Sequence, residues 1–561
     1  MPRRTLRAVT AMLPFAGVVL MMSMVQTAMG AETIHPTVFT DVTPADCAPA
    51  HTDPCTLRAA VLRANGQGDT TIQLDAGTYN LTIARNGSDT GVSGDLEVSS
   101  TVTIQGAGAG LTTIHAGTID DRVLEVEPDG TLILSDLKVS GGRPPAVGEG
   151  ESDGGGVLND GATLVVSRVI FDDNRTARDD NVSAVGNGGG LATVGSGHTS
   201  VRSSTFTNNY AEGDGGGIYH ETSANSGTDT FSGLLLDNNR ANGFTQQRDT
   251  GGGAIYNSIC TGNTIRFTDI TATNNNALRM SGGAIYEDSC QNDQTTVSYD
   301  RLTLSHNSAF AQGGGFYLFD GATTVTNSTI TDNSIPTPAQ DGIGIPEDGG
   351  GVAVGGPLAH LTLNNDTISF NTSPGGTAGG VFLGRNQDHL AYHNTIVHGN
   401  TARGGLTANC AYTQGATVVS NGYNLANDNS CGLTGTADRQ GSQYNPNLGV
   451  LADNGGPRDG APTADSPTLT RALPSGSIAI NTADNANCPA IDERGVTRPQ
   501  QTTCDVGAYE FVLAAVATPT PALPKAGAPA KAGDDLPTLL VVGLVIVAAG
   551  APLAFLRRRR S

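Results

Sequence analysis

The sequence predicts an all-β chain wound as a right-handed parallel β-helix, with a short capping helix at its N-terminus and a transmembrane helix at its C-terminus. Three observations carry that expectation. A run of two or three glycines opening onto an apolar residue recurs eight times, beginning at Gly154, Gly188, Gly215, Gly251, Gly282, Gly313, Gly349 and Gly379. Each run is followed by an asparagine with a large apolar residue three places before it: Phe171 and Asn174, Phe206 and Asn209, Leu236 and Asn239, Leu304 and Asn307, Ile330 and Asn333, Ile368 and Asn371, Val397 and Asn400. The fourth unit departs, because Asn274, Asn275 and Asn276 have no large apolar partner. Finally, the segments between the two marks are short runs of Thr, Val, Ile and Leu, such as Ala162 to Ser167, with strand and not helix spacing.

The shortest complete units are 26 to 33 residues long, the size of one solenoid turn and too small for a domain. Strands of successive turns would stack at about 4.8 Å, with apolar residues inside and the asparagines laddered at one bend. Glycine is expected at the other bend, where positive φ and close backbone approach are needed. Cys260 and Cys290 each lie eight residues after the first glycine of a Gly-Gly-Ala-Ile-Tyr pair, at Gly252 and Gly282. Turns in register would therefore set them side by side for a disulfide.

Composition agrees with a narrow interior: 75 glycines, no Trp and 5% aromatic residues among 561. The net charge of −22 excludes nucleic acid and disfavours anionic polymers as partners. Such acidity allows weak Ca²⁺ binding, although no Gly-Gly-x-Gly-x-Asp array is present, and no cofactor is expected. The eight cysteines fall into four local pairs, Cys47 with Cys55, Cys260 with Cys290, Cys410 with Cys431 and Cys488 with Cys504, the pattern of an exported, disulfide-bonded chain. Zinc is the rival reading for such cysteines, but no Cys-x-x-Cys occurs.

In chain order, residues 1–31 read as a signal peptide: Arg3, Arg4 and Arg7, an apolar run, then small residues at Ala28, Gly30 and Ala31. Residues 41–82 follow as a cap and first strands. Thr56 to Asn65 has helical character with Leu57, Val61 and Leu62 on one side, and a helix there would close the apolar end of the stack. Cys55-Thr-Leu-Arg-Ala-Ala60 resembles the signature of the CSLREA domain, an N-terminal module of bacterial surface proteins, and differs from it at two of six positions. The β-helix is expected over 83–400, with about 12 to 14 turns in all and a rod roughly 55 to 65 Å long at the strand spacing.

The marks Gly252-Gly-Ala-Ile255, Gly282-Gly-Ala-Ile285, Phe171-Asp-Asp-Asn174 and Phe206-Thr-Asn-Asn209 resemble the repeats of polymorphic outer membrane proteins, surface-exposed β-helical adhesins. Their C-terminal barrel has no counterpart in this sequence. Residues 401–511, with Ser420-Asn-Gly-Tyr-Asn-Leu425, Asp453-Asn-Gly-Gly-Pro457, Cys488 to Gly495 and Cys504-Asp-Val-Gly-Ala-Tyr-Glu510, resemble the choice-of-anchor Q domain, which implies an end to the solenoid and an anchor beyond it. Asp459 to Ser466 looks like extra residues relative to that family.

An Ala/Pro/Thr-rich linker spans 512–537. Thr538 to Leu556 is an uncharged stretch long enough to span a membrane, and Arg557 to Arg560 in the tail 557–561 place that end in the cytoplasm. Leu523, Pro524, Lys525, Ala526 and Gly527 resemble a sortase sorting signal, with Ala526 where that family has threonine. Two fates stand open: a retained membrane helix, or covalent attachment to the cell wall.

Solenoids of this pectate-lyase-like class also include polysaccharide lyases and glycosidases, and a glycosidase needs two carboxylates across one groove. Asp172-Asp173 and His398-Gly399 resemble galacturonase signatures but stand about seven turns, or roughly 34 Å, apart at the strand spacing. His393 and His398 are expected on opposite sides of one strand. No catalytic or metal residue is assigned. The long connections 175–187, 240–250 and 334–348 all follow the asparagine mark and would leave the rod at one corner, where solenoids bind partners. The expectation is an exported, surface-anchored, non-enzymatic protein that contacts the cell envelope or an extracellular glycan or protein. The alternatives are a carbohydrate-active enzyme and a self-associating surface-layer protein.

Overall fold

Every turn is assembled in the same order, and residues 215–252 show it. After the glycine run, the strand Ile218–Thr222 crosses one face. The strand Thr228–Asp237 then crosses two more, folded at Gly233, whose φ is +61°. Asn238, at φ +55°, makes the corner, Asn239 follows it, and the short strand Arg240–Ala241 leads into the connection to the next glycines. The same left-handed position before the ladder asparagine is held by Asp173, Asn208, Asn274, His306, Asp332, Phe370 and Gly399.

This architecture comes from a computed structural model that describes residues 32–513, apart from 44, 49–52, 87–90, 147–151, 180–183, 223–227, 244–249, 260–261, 290–294, 337–347 and 407. It is an all-β, right-handed parallel β-solenoid with one α-helix among the described residues. In the longest ladder thirteen parallel strands stack in sequence, from Glu32–Ile34 to Thr417–Ser420. Eleven more form the face that follows the glycines, from Leu96–Val98 to Cys410–Tyr412. Inside, Phe171 stacks on Phe206 at 4.5 Å, and Phe231, Phe267 and Tyr299 stack at 4.8 and 4.6 Å. Burying each such ring or aliphatic side chain stabilises the stack by roughly 1.5–3 kcal/mol.

The asparagines form an unbroken ladder. In each of Asn174, Asn209, Asn239, Asn275, Asn307, Asn333, Asn371 and Asn400, the backbone N–H donates to the side-chain Oδ1 of the next member at 2.9 to 3.2 Å. Each Nδ2 donates to the carbonyl three residues before the preceding asparagine, as Asn239 does to Phe206. Because that acceptor is backbone, its side chain need not be large. The fourth member is therefore Asn275, with buried Ala272 in the apolar position and its carbonyl bonded to Asn307. Asn409, nine residues past Asn400, extends the ladder by one.

The glycines do not occupy the opposite bend, as expected, but pack onto this same corner. The glycine three places before the apolar residue that follows each run (Gly154, Gly188, Gly215, Gly252, Gly282, Gly313 and Gly349) has φ between +63° and +72°. A Cβ two places before that apolar residue would lie 2.3 to 2.8 Å from backbone atoms of the residue after the asparagine, as at Gly216 against Arg240 or Gly379 against Thr401. A Cβ one place before it meets the asparagine side chain instead, 3.3 Å away for Gly217 and Asn239, and Ala254 and Ala284 are accommodated there. The repeated marks are two sides of one contact.

The helix α1, Leu57–Asn65, caps the N-terminal end, with Thr56 accepting from the Ala59 N–H. Leu57, Ala60, Val61 and Ala64 face the core, whereas Leu62 is turned outward at 37% exposure, contrary to the sequence expectation. Buried Arg58 ties the cap to the first turns through Asp41 and the carbonyls of Gly91, Gly94 and Asp95. At the other end Cys431 and Leu433 close the core.

Parallel pairing does not stop at 400 but continues through Leu425–Ala426 to Arg439–Gln440. The remainder, 441–511, folds back along the side of the solenoid. Its antiparallel hairpin, Leu451–Ala461 with Ala464–Arg471, lies across the second half of the long strands. There the Thr205 hydroxyl meets Ala461 and Ala464, and Ala461 packs on Ala109 and Ile170. The Asp459 to Ser466 segment forms its tip. The signal peptide, the Cys260–Cys290 pair, the sorting-signal residues Leu523 to Gly527 and the span 538–556 fall outside the described residues, among which no helix is long and apolar enough to cross a membrane.

Replacing Asn307 by Ala removes the acceptor for two bonds from Asn275 and the donor to Ala272. A loss of roughly 2–5 kcal/mol is expected in chemical denaturation, against less than about 0.5 kcal/mol for Thr324→Ala on the exposed face.

Candidate functional site: the loop corner

Past each ladder asparagine the chain makes one more parallel contact before it leaves the solenoid. Tyr210–Ala211, Arg240–Ala241, Asn276–Ala277 and Ser308–Ala309 form a short ladder, and bridges at Arg175, Ser334, Thr372 and Thr401 extend it in both directions. Every connection from this ladder back to a glycine run therefore starts from one edge. The three long connections at 175–187, 240–250 and 334–348 are members of that series, and parts of each lie outside the described residues. Ala277, Ala309 and Ile335 form a small apolar cluster at the roots of the loops, and Leu278, next to Ala277 in the chain, is exposed.

The residue before each glycine run forms a second ladder that the sequence marks did not reveal. Asp153 Oδ1 accepts from the Asn187 N–H at 2.7 Å, Asn187 Oδ1 from Asp214 at 2.9 Å, and Asp214 Oδ1 from Gly251 at 2.8 Å. Asp348 accepts in the same way from Ala378. Burial pushes the Asp153 carboxyl up to about 7 and that of Asp214 up to about 8, despite the backbone bonds that oppose the shift. Both are nearly inaccessible, and each Oδ1 is committed to a backbone amide. They are corner posts and do not have the open geometry of an acid and base flanking a substrate.

Beside the corner, on the outer surface of the eleven-stranded face, Tyr219, Tyr256, Tyr286 and Tyr317 stack at 5.1 Å intervals. Together with Leu158, Ala192, Ala353 and Phe382 they form a satellite apolar cluster separate from the core. All four of these tyrosines belong to the apolar-Tyr pairs that close the glycine marks. Parallel register alone converts them into a column, so the signal was present in the repeats. On the inner side of the same strands runs a buried polar chain. His220 lies between Asp229 and Asn257, Asn257 donates to Glu287, and the Tyr299 hydroxyl donates to the same carboxyl at 2.6 Å. Burial pushes Glu287 up to about 8.

The other sequence candidates are dispersed. Cys47–Cys55, Cys410–Cys431 and Cys488–Cys504 are disulfide-bonded. Asp172 pairs with Lys138, and Asp173 with Arg143 and Arg175, on the surface of the asparagine corner. His393 and His398 are not on one strand: the left-handed Asn394 separates His389–His393 from Ile396–His398. His393 contacts Asp484, whereas burial and nearby Arg471 drive His398 down to about 4. Among the described residues no three His, Cys, Asp or Glu side chains are grouped to hold a metal ion.

Residues 203–221 match the Chlamydia polymorphic membrane protein repeat. They contain one asparagine mark, Phe206 to Asn209, and the glycine mark Gly215 to Tyr219 that packs on the next. The chain is also similar to two solved structures. Pectate lyase Pel9A aligns with a TM-score of 0.41 and 13% identity over 86% of this chain and 97% of that one. The A-module of the Azotobacter vinelandii mannuronan C-5 epimerase AlgE4 aligns with a TM-score of 0.34 and 16% identity, over 68% and 91%. No curated protein matches the chain.

Asp214 is held neutral in the fold, so its contribution to stability is complete below the ordinary carboxylate range and disappears as pH rises through about 8. Asp214→Asn keeps the acceptor, as Asn187 shows one turn earlier. The variant is expected to lose less stability than the wild type between pH 6 and 9 in denaturant titrations.

Proposed function

We propose that this is an exported surface protein whose solenoid holds a file of loops toward a partner in the cell envelope or an extracellular glycan or protein, without catalysing a reaction. The observation that carries the reading is the short ladder after the asparagines, which launches every connection from one edge over eight turns. Loops on a rigid scaffold are where solenoids place recognition. Disulfides support an oxidising, extracytoplasmic location, and the repeat shared with polymorphic membrane proteins supports the cell surface. Anchoring through 538–556, or through Leu523 to Gly527, belongs to the same proposal.

The competing reading, an enzyme acting on a polysaccharide, needs accessible carboxylates on a shared groove. The acids at this corner are buried, which favours the binding reading. Shortening 175–187, 240–250 and 334–348 together is expected to abolish attachment of the protein to its target surface while leaving the unfolding midpoint unchanged. Undiminished attachment would remove the loop edge from the account. In parallel, the purified protein is expected to bind members of a glycan or envelope-protein panel without releasing reducing ends. Release of reducing ends or of unsaturated products would establish the enzymatic alternative.

A further inference from the structure

Two carboxyl groups without a cationic partner stand where the fold-back hairpin meets the solenoid: Asp459 on the hairpin itself, and Glu493 on the segment after it, which shares Thr303 with Leu469 of the hairpin. Asp459, at 1% exposure, accepts from the Thr271 hydroxyl at 2.6 Å. Thr468 stands 3.4 Å from the same oxygen but gives its hydrogen to the Pro457 carbonyl at 3.0 Å, and Asp459 Oδ1 has no partner. Glu493 is wholly buried between Thr303 and Thr329.

Counting hydrogens favours a proton on Glu493. The Thr303 oxygen is 3.0 Å from both the Leu469 carbonyl and Glu493 Oε1. A threonine hydroxyl has one hydrogen and a carbonyl has none. Both contacts are full two-centre hydrogen bonds when Thr303 donates to Leu469 and a protonated Glu493 donates to Thr303, whereas an ionised Glu493 leaves Thr303 to divide one hydrogen between two acceptors. The charged groups around these carboxyls are already engaged. Facing Asp459, Arg301 is bound by Asp269 and Asp300 on the solenoid, and on the hairpin Arg458 pairs with Asp465. Around Glu493, Arg494 holds Asp492 and Arg471 holds Asp332. An ionised carboxylate at either place would be buried without a cation, with a hydroxyl donor at Asp459 and with hydroxyls and the Thr329 backbone amide at Glu493, a costly arrangement.

We propose that the hairpin is a proton-held strap: neutral Asp459 and Glu493 seat it on the solenoid, and ionisation at alkaline pH lifts its tip. Desolvation pushes Asp459 up to about 8 and Glu493 well above its ordinary range. For acids raised in this direction, docking is strongest below the ordinary carboxylate range and is lost as pH climbs through the raised values. The base of the hairpin has a further hold that no carboxyl proton controls: Arg471 donates to Thr331, pairs with Asp332 and lies over the Phe370 ring at 4.2 Å. The motion is therefore a hinge at Arg471 that uncovers the outer column containing Ile170, Thr205, Leu235 and Thr271. It is independent of the loop corner.

Hydrogen exchange of the full-length protein, read by mass spectrometry and corrected for the intrinsic pH dependence of exchange, tests the strap. Protection of amides 453–469 is expected to fall at least tenfold between pH 6 and pH 9, while the strand Thr264–Thr273 keeps its protection. In the double variant Asp459→Asn, Glu493→Gln, the neutral amides should hold the hairpin equally at both pH values. Unchanged hairpin protection in the wild type overturns the proposal without need of the variant. So does a loss in the double variant equal to that of the wild type.

Discussion

The asparagine corner is the constraint on which the rest of the molecule depends. At that corner each turn bends through a left-handed residue, so the asparagine N–H points along the stack and away from any partner in its own turn. Its acceptor is a side-chain oxygen supplied by the following turn. A buried amide left without that oxygen is expensive, so no turn is complete until its neighbour is in place and in register. The glycine runs are the other half of the same contact, because no side chain fits where their backbone meets the residue after the asparagine. Register then does the remaining work: it stacks the interior aromatics, brings the tyrosines of separate marks into one column and starts every loop from one edge.

The outer faces are consequently different in kind. One half of the long strands is covered by the fold-back hairpin, held by threonine hydroxyls, buried acids and Arg471. The other half lies open, with Thr131, Thr163, Thr264 and Thr296 among the residues in register along it. The eleven-stranded face carries the buried tyrosine column, and only the corner between that face and the asparagines releases chain into long connections. The proposed binding function draws on that division and on the acids near the corner, which serve as backbone acceptors.

Much of this was legible in the sequence, for a physical reason. A solenoid is held by nearest-neighbour contacts, so the residues that make the corner recur with the turn and can be counted. What the sequence concealed was how the recurring pieces meet. Glycine suits both a bend and a close approach, and the sequence does not distinguish them; the structure assigns it to the corner occupied by asparagine. Ala272 broke the apparent apolar rule because the bond concerned is to its carbonyl and not to its side chain. The Asp153, Asn187 and Asp214 ladder is not marked in the sequence because the same position is held in the next three turns by Gly251, Ser281 and Gln312, so no residue type repeats there. The fold-back of 441–511 was hidden for a different cause: its contacts with the long strands reach far along the chain, 140 residues between Arg471 and Thr331 and 259 between Thr205 and Ala464, and no local periodicity reports them.

In-register stacking can be measured directly by spin labels on the open face. Val165, Ser298 and Val419 belong to one outer column, with Ser298 four strands and Val419 eight strands from Val165. Electron–electron distance measurements should give roughly 19 Å for the first pair and 38 Å for the second, a doubling set by the strand spacing. Distances that fail to grow with strand number, or broad distributions for either pair, would contradict a single solenoid built on the asparagine corner.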